Sequence, residues 1–341
     1  MTEIYIVYSF KLYAIDSDTG YVTEIATIIY HLEKSNMEQK EQAQKQAKLL
    51  IRRRNFIKGS IFALLGVGVA GAGALYYAHS IEPVWFDITH HQLHLSRISK
   101  AFNGYRLLQI TDIHADASFM TAERLAGLVQ AINSVQADII VITGDFVTDY
   151  LPEAQQTLTE LSKLKAADGV FGVLGNHDHP SGVDWVRECL QAGKVQELAN
   201  KTHTIQRGDQ MLHLVGMDDL WPRNRGIPAP IWSHQPLLQQ LTSSLPAQGA
   251  AVLLVHEPDF ADVTAQNKRI DLQLSGHSHG GQVRVPLHGA LYLPPLSRVY
   301  PKGLYQIENL IHYTNTGLGM LSPHIRFDCR PEIAVFDFYT A

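Results

Sequence analysis

From about Ile81 onward the chain alternates two kinds of hydrophobic pattern. Short unbroken apolar runs recur: YRLLQI (105–110), ADIIVIT (137–143), GVFGVL (169–174), AVLLV (251–255) and DLQLS (271–275). Their length suits strands buried on both faces. Between the first three lie TAERLAGLVQAINSVQ (121–136) and PEAQQTLTELSKLKAA (152–167). Their apolar residues recur every three or four positions, as on one face of a helix. Thr121, directly before the first of these, is its expected N-cap. Strands alternating with helices predict an α/β fold.

The first 80 residues read differently. RRRNFIKGS (52–60) precedes a stretch, Ile61 to Ala78, without a single charge and rich in Gly and Ala. A basic segment before an apolar one reads as an export signal or a membrane anchor. Arg53-Arg54-Asn55-Phe56-Ile57-Lys58 resembles a twin-arginine motif, an address read by the export machinery. In either case residues beyond 80 are expected outside the cytoplasmic membrane. Small-residue sites at Ala70–Ala74 make release and anchoring both compatible with the sequence. Three regions are therefore expected: an N-terminal extension (1–50), a signal or anchor (51–80) and one catalytic domain (81–341). Met37 opens an ordinary signal n-region, so translation is expected to start there. Within residues 1–36, EIYIVYSFKLYAI and GYVTEIATIIYHL read as a strand pair.

Composition narrows the class. Of 341 residues, 45% are apolar and 18% charged, which excludes a disordered chain. A net charge of −5 offers no global basic field for nucleic acid. The two cysteines, Cys189 and Cys329, form neither a disulfide framework nor a CxxC zinc site. With 17 histidines in the chain, only position can select those that matter.

What selects them is the residue that follows each apolar run. The five strands end in Asp112 and His114, in Asp145, in Asn176, His177 and Asp178, in His256, and in His277 and His279. In open α/β sheets ligands bind beyond the carboxyl ends of strands, so residues far apart in sequence converge there. In extended chain, Asp112 and His114 would face one side, as would His277 and His279. Carboxylates, imidazoles and an amide oxygen without thiolates suit manganese, iron or zinc. One ion needs fewer donors than these; two ions sharing a carboxylate would use them.

The blocks D-x-H, G-D, G-N-H-D, a lone His after a strand, and G-H-x-H, in that order, resemble the calcineurin-like metallophosphoesterases over roughly Tyr105 to Glu332. GHSHGGQV and the tail NTGLGMLSPHIRFDCRPEIAVF are similar to an exported or membrane-attached bacterial phosphodiesterase-like branch. The resemblance implies a two-sheet β-sandwich flanked by helices, with a dinuclear metal site at the C-terminal strand ends. It implies Asp112, His114 and His279 on one ion, Asn176, His256 and His277 on the other, and Asp145 bridging both. His177 would protonate the leaving oxygen or stabilise phosphoryl charge, with Asp178 orienting its ring. The implied nucleophile is a metal-bridging hydroxide.

The expected function is that of a metal-dependent phosphoesterase, foremost a phosphodiesterase, acting outside the cytoplasmic membrane on a lipid-linked or cell-envelope phosphoester. A UDP-2,3-diacylglucosamine-type pyrophosphatase is the alternative. It would need an apolar channel for acyl chains, and residues 180–250, where a cap would sit, show no strongly apolar insertion. A non-catalytic metal-binding scaffold would have lost ligands, and none is lost. Folding before export would load the site from the cytosolic metal pool, which favours manganese, with zinc or iron compatible. Asp218 and Asp219 read as exposed loop carboxylates, and His179 as either solvent-facing or substrate-touching. Arg223 and Arg225 could meet a phosphate from a loop.

Overall fold

The computed structural model describes residues 21–221 and 228–341. The chain divides into two compact units, Met1–Ala72 and Gly73–Ala341. Helix α1 (Tyr21–Tyr76) occupies the described part of the first unit. Residues 21–32 are therefore helical, not a strand. Val22, Ile25, Ile28, Ile29 and Leu32 recur at helical spacing, and that period overrides the β-branched character of the first four. The strand proposed for residues 3–15 lies outside the described residues. The basic run Arg52–Lys58 is exposed along α1. Among the described residues no helix is long and apolar enough to cross a membrane.

The second unit is built on two six-stranded sheets. The first contains β1 (Asp87–Leu95), β2 (Tyr105–Ile110), β3 (Ile139–Thr143), β4 (Val170–Val173), β5 (Gln196–Glu197) and β14 (Glu332–Thr340), in the order β1-β14-β2-β3-β4-β5. The second contains β6 (Lys201–Arg207), β7 (Gln210–Gly216), β8 (Ala250–Leu254), β9 (Leu272–Ser275), β12 (Gly303–Ile307) and β13 (Leu310–Thr314), in the order β12-β13-β9-β8-β7-β6. β2, β3 and β4 pair in parallel, as do β7, β8 and β9. A small hairpin, β10 (Arg284–Val285) and β11 (Gly289–Ala290), stands apart from both sheets.

Three apolar clusters fix the layering. One covers the outer face of the first sheet with α2 (Ala122–Ser134), α3 (Pro152–Thr159) and α4 (Val183–Ala192). A second fills the space between the sheets, from Leu107 and Val141 across to Leu254 and Leu274. The third packs α5 (Gln235–Ser243) and α6 (Ala261–Asn267) on the second sheet. This is the expected two-sheet sandwich flanked by helices. Central strands buried on both faces account for the unbroken apolar runs. Thr121 caps α2 as expected, its hydroxyl accepting from Arg124 N. Both cysteines are free and buried.

Candidate metal centre

The parallel strands β2, β3 and β4 of one sheet and β8 and β9 of the other end at one rim, and every expected ligand lies just past one of these ends. The chain leaves these strands abruptly. Asp112, His114, Asp145, His277 and His279 all adopt positive φ, between 48° and 67°. For residues with a Cβ this costs about 1–3 kcal/mol each and persists only where the surroundings enforce it. The extended geometry assumed for Asp112–His114 and His277–His279 is thus not the observed one. The side chains converge through left-handed turns at the strand ends, not through strand alternation. Gly276 has no room for a side chain, because a Cβ there would collide with Thr111 Oγ1 and Asp112 Oδ2.

Two ligand groups result. In one, potential donor atoms of Asp112, His114, Asp145 and His279 lie within 4.8 Å of one another; in the other, those of Asp145, His256 and His277 do. All six residues are buried, and Asp145 is common to both groups. Its Oδ2 lies 3.4 Å from His114 Nε2 and 3.2 Å from His256 Nε2. His279 Nε2 stands 3.3 Å from Asp112 Oδ1 and 3.1 Å from His114 Nε2. Atoms roughly 2.1 Å from a shared ion stand about 3.0–3.4 Å apart, so these spacings suit metal ligands. Asn176 lines the same cavity, with its Oδ1 buried and without a hydrogen-bond partner. His256 Nε2 is likewise buried, with Asp145 Oδ2 beside it at 3.2 Å. The donor set therefore fits divalent metal.

The protein itself holds two of the imidazoles in a fixed orientation and three of the four, those of His114, His277 and His279, in the neutral form. His256 Nδ1 donates to Thr143 O at 2.7 Å and His277 Nε2 to Pro295 O at 2.8 Å. Each contact fixes the tautomer and presents the opposite nitrogen to the site. Burial pushes His114 and His277 down to about 3 and holds His279 well below the ordinary imidazole range. A neutral imidazole is the form that binds metal. Burial pushes Asp112 up to about 7. Burial alone would lower His256, but the Asp145 carboxylate beside it holds it well above its ordinary value.

The observed contacts revise one expected role. Asp178 does not orient the His177 ring. Its carboxylate, fully buried, accepts from Phe146 N (2.9 Å), Val147 N (3.2 Å) and Gly175 N (2.8 Å). It ties the turn after β3 to the turn after β4, and burial pushes it up to about 8. The His177 ring is held by Thr148, whose carbonyl oxygen accepts from Nδ1 at 3.0 Å, while His177 N donates to Asp145 Oδ1 at 2.8 Å. Asp218 and Asp219 are not exposed loop groups either. Asp218 accepts from His179 Nε2 at 2.8 Å, and Asp219 shares a hydrogen bond with buried Glu257. Arg223 and Arg225 lie outside the described residues.

Sequence reasoning missed a support that lies behind the site. Arg326 is fully buried, and its guanidinium donates to the carbonyls of Cys329, Thr316, Gly317 and Gly319. Leu318 N and Gly319 N from the same loop donate to Thr111 O and Asp112 O. Cys329 Sγ donates to His279 O at 3.1 Å, and buried Glu82 accepts from Asp328 N and Cys329 N. The only signal in the sequence was the tail motif around Arg326, which carried the resemblance without suggesting what the arginine does.

Nitrogen and oxygen donors without sulfur, in two buried groups sharing one carboxylate, are consistent with a dinuclear metal site of the kind found in phosphoester hydrolases. Residues 105–281 match the calcineurin-like phosphoesterase family, and the chain belongs to it: it is a metallophosphoesterase, a hydrolase of phosphoester bonds. It is 34% identical to the uncharacterized metallophosphoesterase YkuE of Bacillus subtilis, over 83% of this chain and 96% of that protein. It is 27% identical to the phosphodiesterase YaeI of Escherichia coli, over 84% of this chain and 99% of that one. Among solved structures, the sulfate thiohydrolase SoxB of Thermus thermophilus matches with a TM-score of 0.45 and 13% identity, over 64% of this chain and 52% of that one.

Proposed function

We propose that the chain is a phosphodiesterase dependent on two divalent metal ions and acts outside the cytoplasmic membrane. The observation that carries the metal dependence is the sharing of Asp145 between two buried ligand groups, with Oδ2 between His114 and His256. Asp112, His114 and His279 would hold one ion, Asn176, His256 and His277 the other, and Asp145 both. Bound there, the ions would acidify a water and neutralise charge on the phosphoryl oxygens. Manganese is the metal we favour, with zinc and iron compatible with the same donors.

The protein's own residues do the rest. His177 lines the cavity beside Asp145 and Asn176. With Nδ1 tied to Thr148 O, its Nε2 is the atom that delivers a proton to the leaving oxygen. Asp178 keeps the Asp145 and Asn176 turns in register. Diester specificity is supported by the likeness to YaeI, named a phosphodiesterase. Action beyond the membrane, through the twin-arginine export machinery and with membrane association of the signal segment, is supported by Arg53–Lys58 and the uncharged stretch after it.

The test is turnover of phosphate monoesters, diesters and pyrophosphate esters by protein stripped of metal and then restored. Diester hydrolysis that vanishes and returns with metal is the expected result. Preference for the pyrophosphate ester would instead favour the UDP-2,3-diacylglucosamine-type reading.

A further inference from the structure

The metal centre opens into a cavity of about 510 Å³, and its walls are unlike its floor. At the floor stand Asp145, Asn176, His177, His277 and His279. The rest of its lining is mostly apolar: Val283, Leu291, Pro294, Leu321, Pro323 and Ile325, joined by the rings of Trp221 and Tyr292 and with only Ser278, Ser322 and Gln282 polar. Among the described residues lining it there is no lysine, arginine or glutamate. The one amide in the wall, Gln282, is spent: Nε2 donates to Leu321 O and Pro323 O, and Oε1 accepts from Leu321 N, each at 3.0 Å. Both of its N–H donors are thus used, and it has none to offer a base or a sugar. The apolar surface continues past the cavity mouth. Leu291 and Tyr292 are 61% and 68% exposed, and Leu287, in the turn of the β10–β11 hairpin, is wholly exposed.

A cavity that joins phosphate chemistry to a mostly apolar lining suits an amphiphile. We infer that the cavity takes the aliphatic chain of the substrate's ester arm, so that the natural substrate is a phosphoester carrying an alkyl or acyl chain. This rests on the phosphoester reading and deepens it. The apolar surface that an acyl-bearing substrate would need comes from Val283, Leu291, Tyr292, Pro294, Leu321, Pro323 and Ile325, with Trp221 the lining residue contributed by the 180–250 region.

The test is a binding series that needs no turnover. Methyl-, butyl- and octylphosphonate are titrated calorimetrically into the full chain loaded with manganese. Each methylene buried against the walls is expected to tighten binding by about two- to four-fold, so octylphosphonate should bind at least about tenfold tighter than butylphosphonate. Leu291→Ser, a change at a solvent-exposed position, and Ile325→Ser, elsewhere in the lining, should each flatten that dependence. Equal affinity across the series, or a dependence left intact in both variants, would overturn the inference. Failure of methylphosphonate itself to bind would overturn the phosphoester reading and the inference with it.

Discussion

Arg326 holds Asp112 through one intervening residue. Its Nη2 donates to Gly319 O at 2.6 Å, and Gly319 N donates to Asp112 O at 2.7 Å. Asp112 sits at a φ of 49°, a conformation that its surroundings must maintain. A buried guanidinium with four carbonyl acceptors and, among the described residues, no carboxylate in hydrogen-bond contact is costly unless its geometry is needed. Arg326→Lys keeps the charge but cannot span the four carbonyls. It should weaken metal binding by about 10- to 100-fold, the usual effect of losing a residue that orients a ligand. Chelator competition measures this. Unchanged affinity would show that the loop holds Asp112 unaided.

The Asp178 contacts lead to a prediction opposite to the role assigned from resemblance. Asp178→Asn replaces one acceptor oxygen with a donor facing a backbone amide. It should destabilise the fold by about 1–3 kcal/mol and loosen metal binding. It should leave kcat of the fully metal-loaded protein close to the parent's, because the Asp178 carboxylate is engaged by backbone amides and not by the His177 ring. A large fall in kcat at full metal loading without loss of melting temperature would restore the orienting role.

His177 is the side chain whose loss should separate chemistry from metal binding. His177→Asn is expected to retain metal while losing about 10²–10⁴ in turnover. Metal content by elemental analysis, set beside kcat on a diester, decides this. Loss of metal with no kinetic defect in the remaining loaded protein would make His177 a structural group.

How far this site was legible in the sequence depends on the kind of information each residue carries. Asp112, Asp145, Asn176, His256 and His277 could be picked out because each follows a buried strand, and strand ends converge whatever the loops do. Their backbone conformation could not be read, since the alternation argument assumes an extended chain and these residues turn left-handed. Arg326 and Glu82 act on carbonyls and amides of distant loops, and no local pattern marks such contacts. Asp178 was misassigned because its neighbour in sequence is not its partner in space. The apolar cavity went unseen because its walls come from irregular segments without periodicity.

A buried histidine away from the site gives a clean pH prediction. His312 on β13 is fully buried, 3.3 Å from Gln273 O and 2.9 Å from Thr314 Oγ1, and burial pushes it down to about 3. A depressed folded-state value means that its contribution is fully present above about pH 6.5, the unfolded value. It is lost as pH falls from there toward 3, at no more than about 1.4 kcal/mol per unit. His312→Gln should therefore show a shallower fall in melting temperature between pH 7 and 4 than the parent. Parallel curves would place the acid sensitivity elsewhere.

The central claim is that two ions share Asp145, and metal stoichiometry tests it most directly. Titrating manganese into the stripped protein should saturate at two ions per chain. His256→Ala should lose one of them, and Asp145→Asn should weaken both and abolish diester hydrolysis. Saturation at a single ion, or full turnover in Asp145→Asn, would contradict the account.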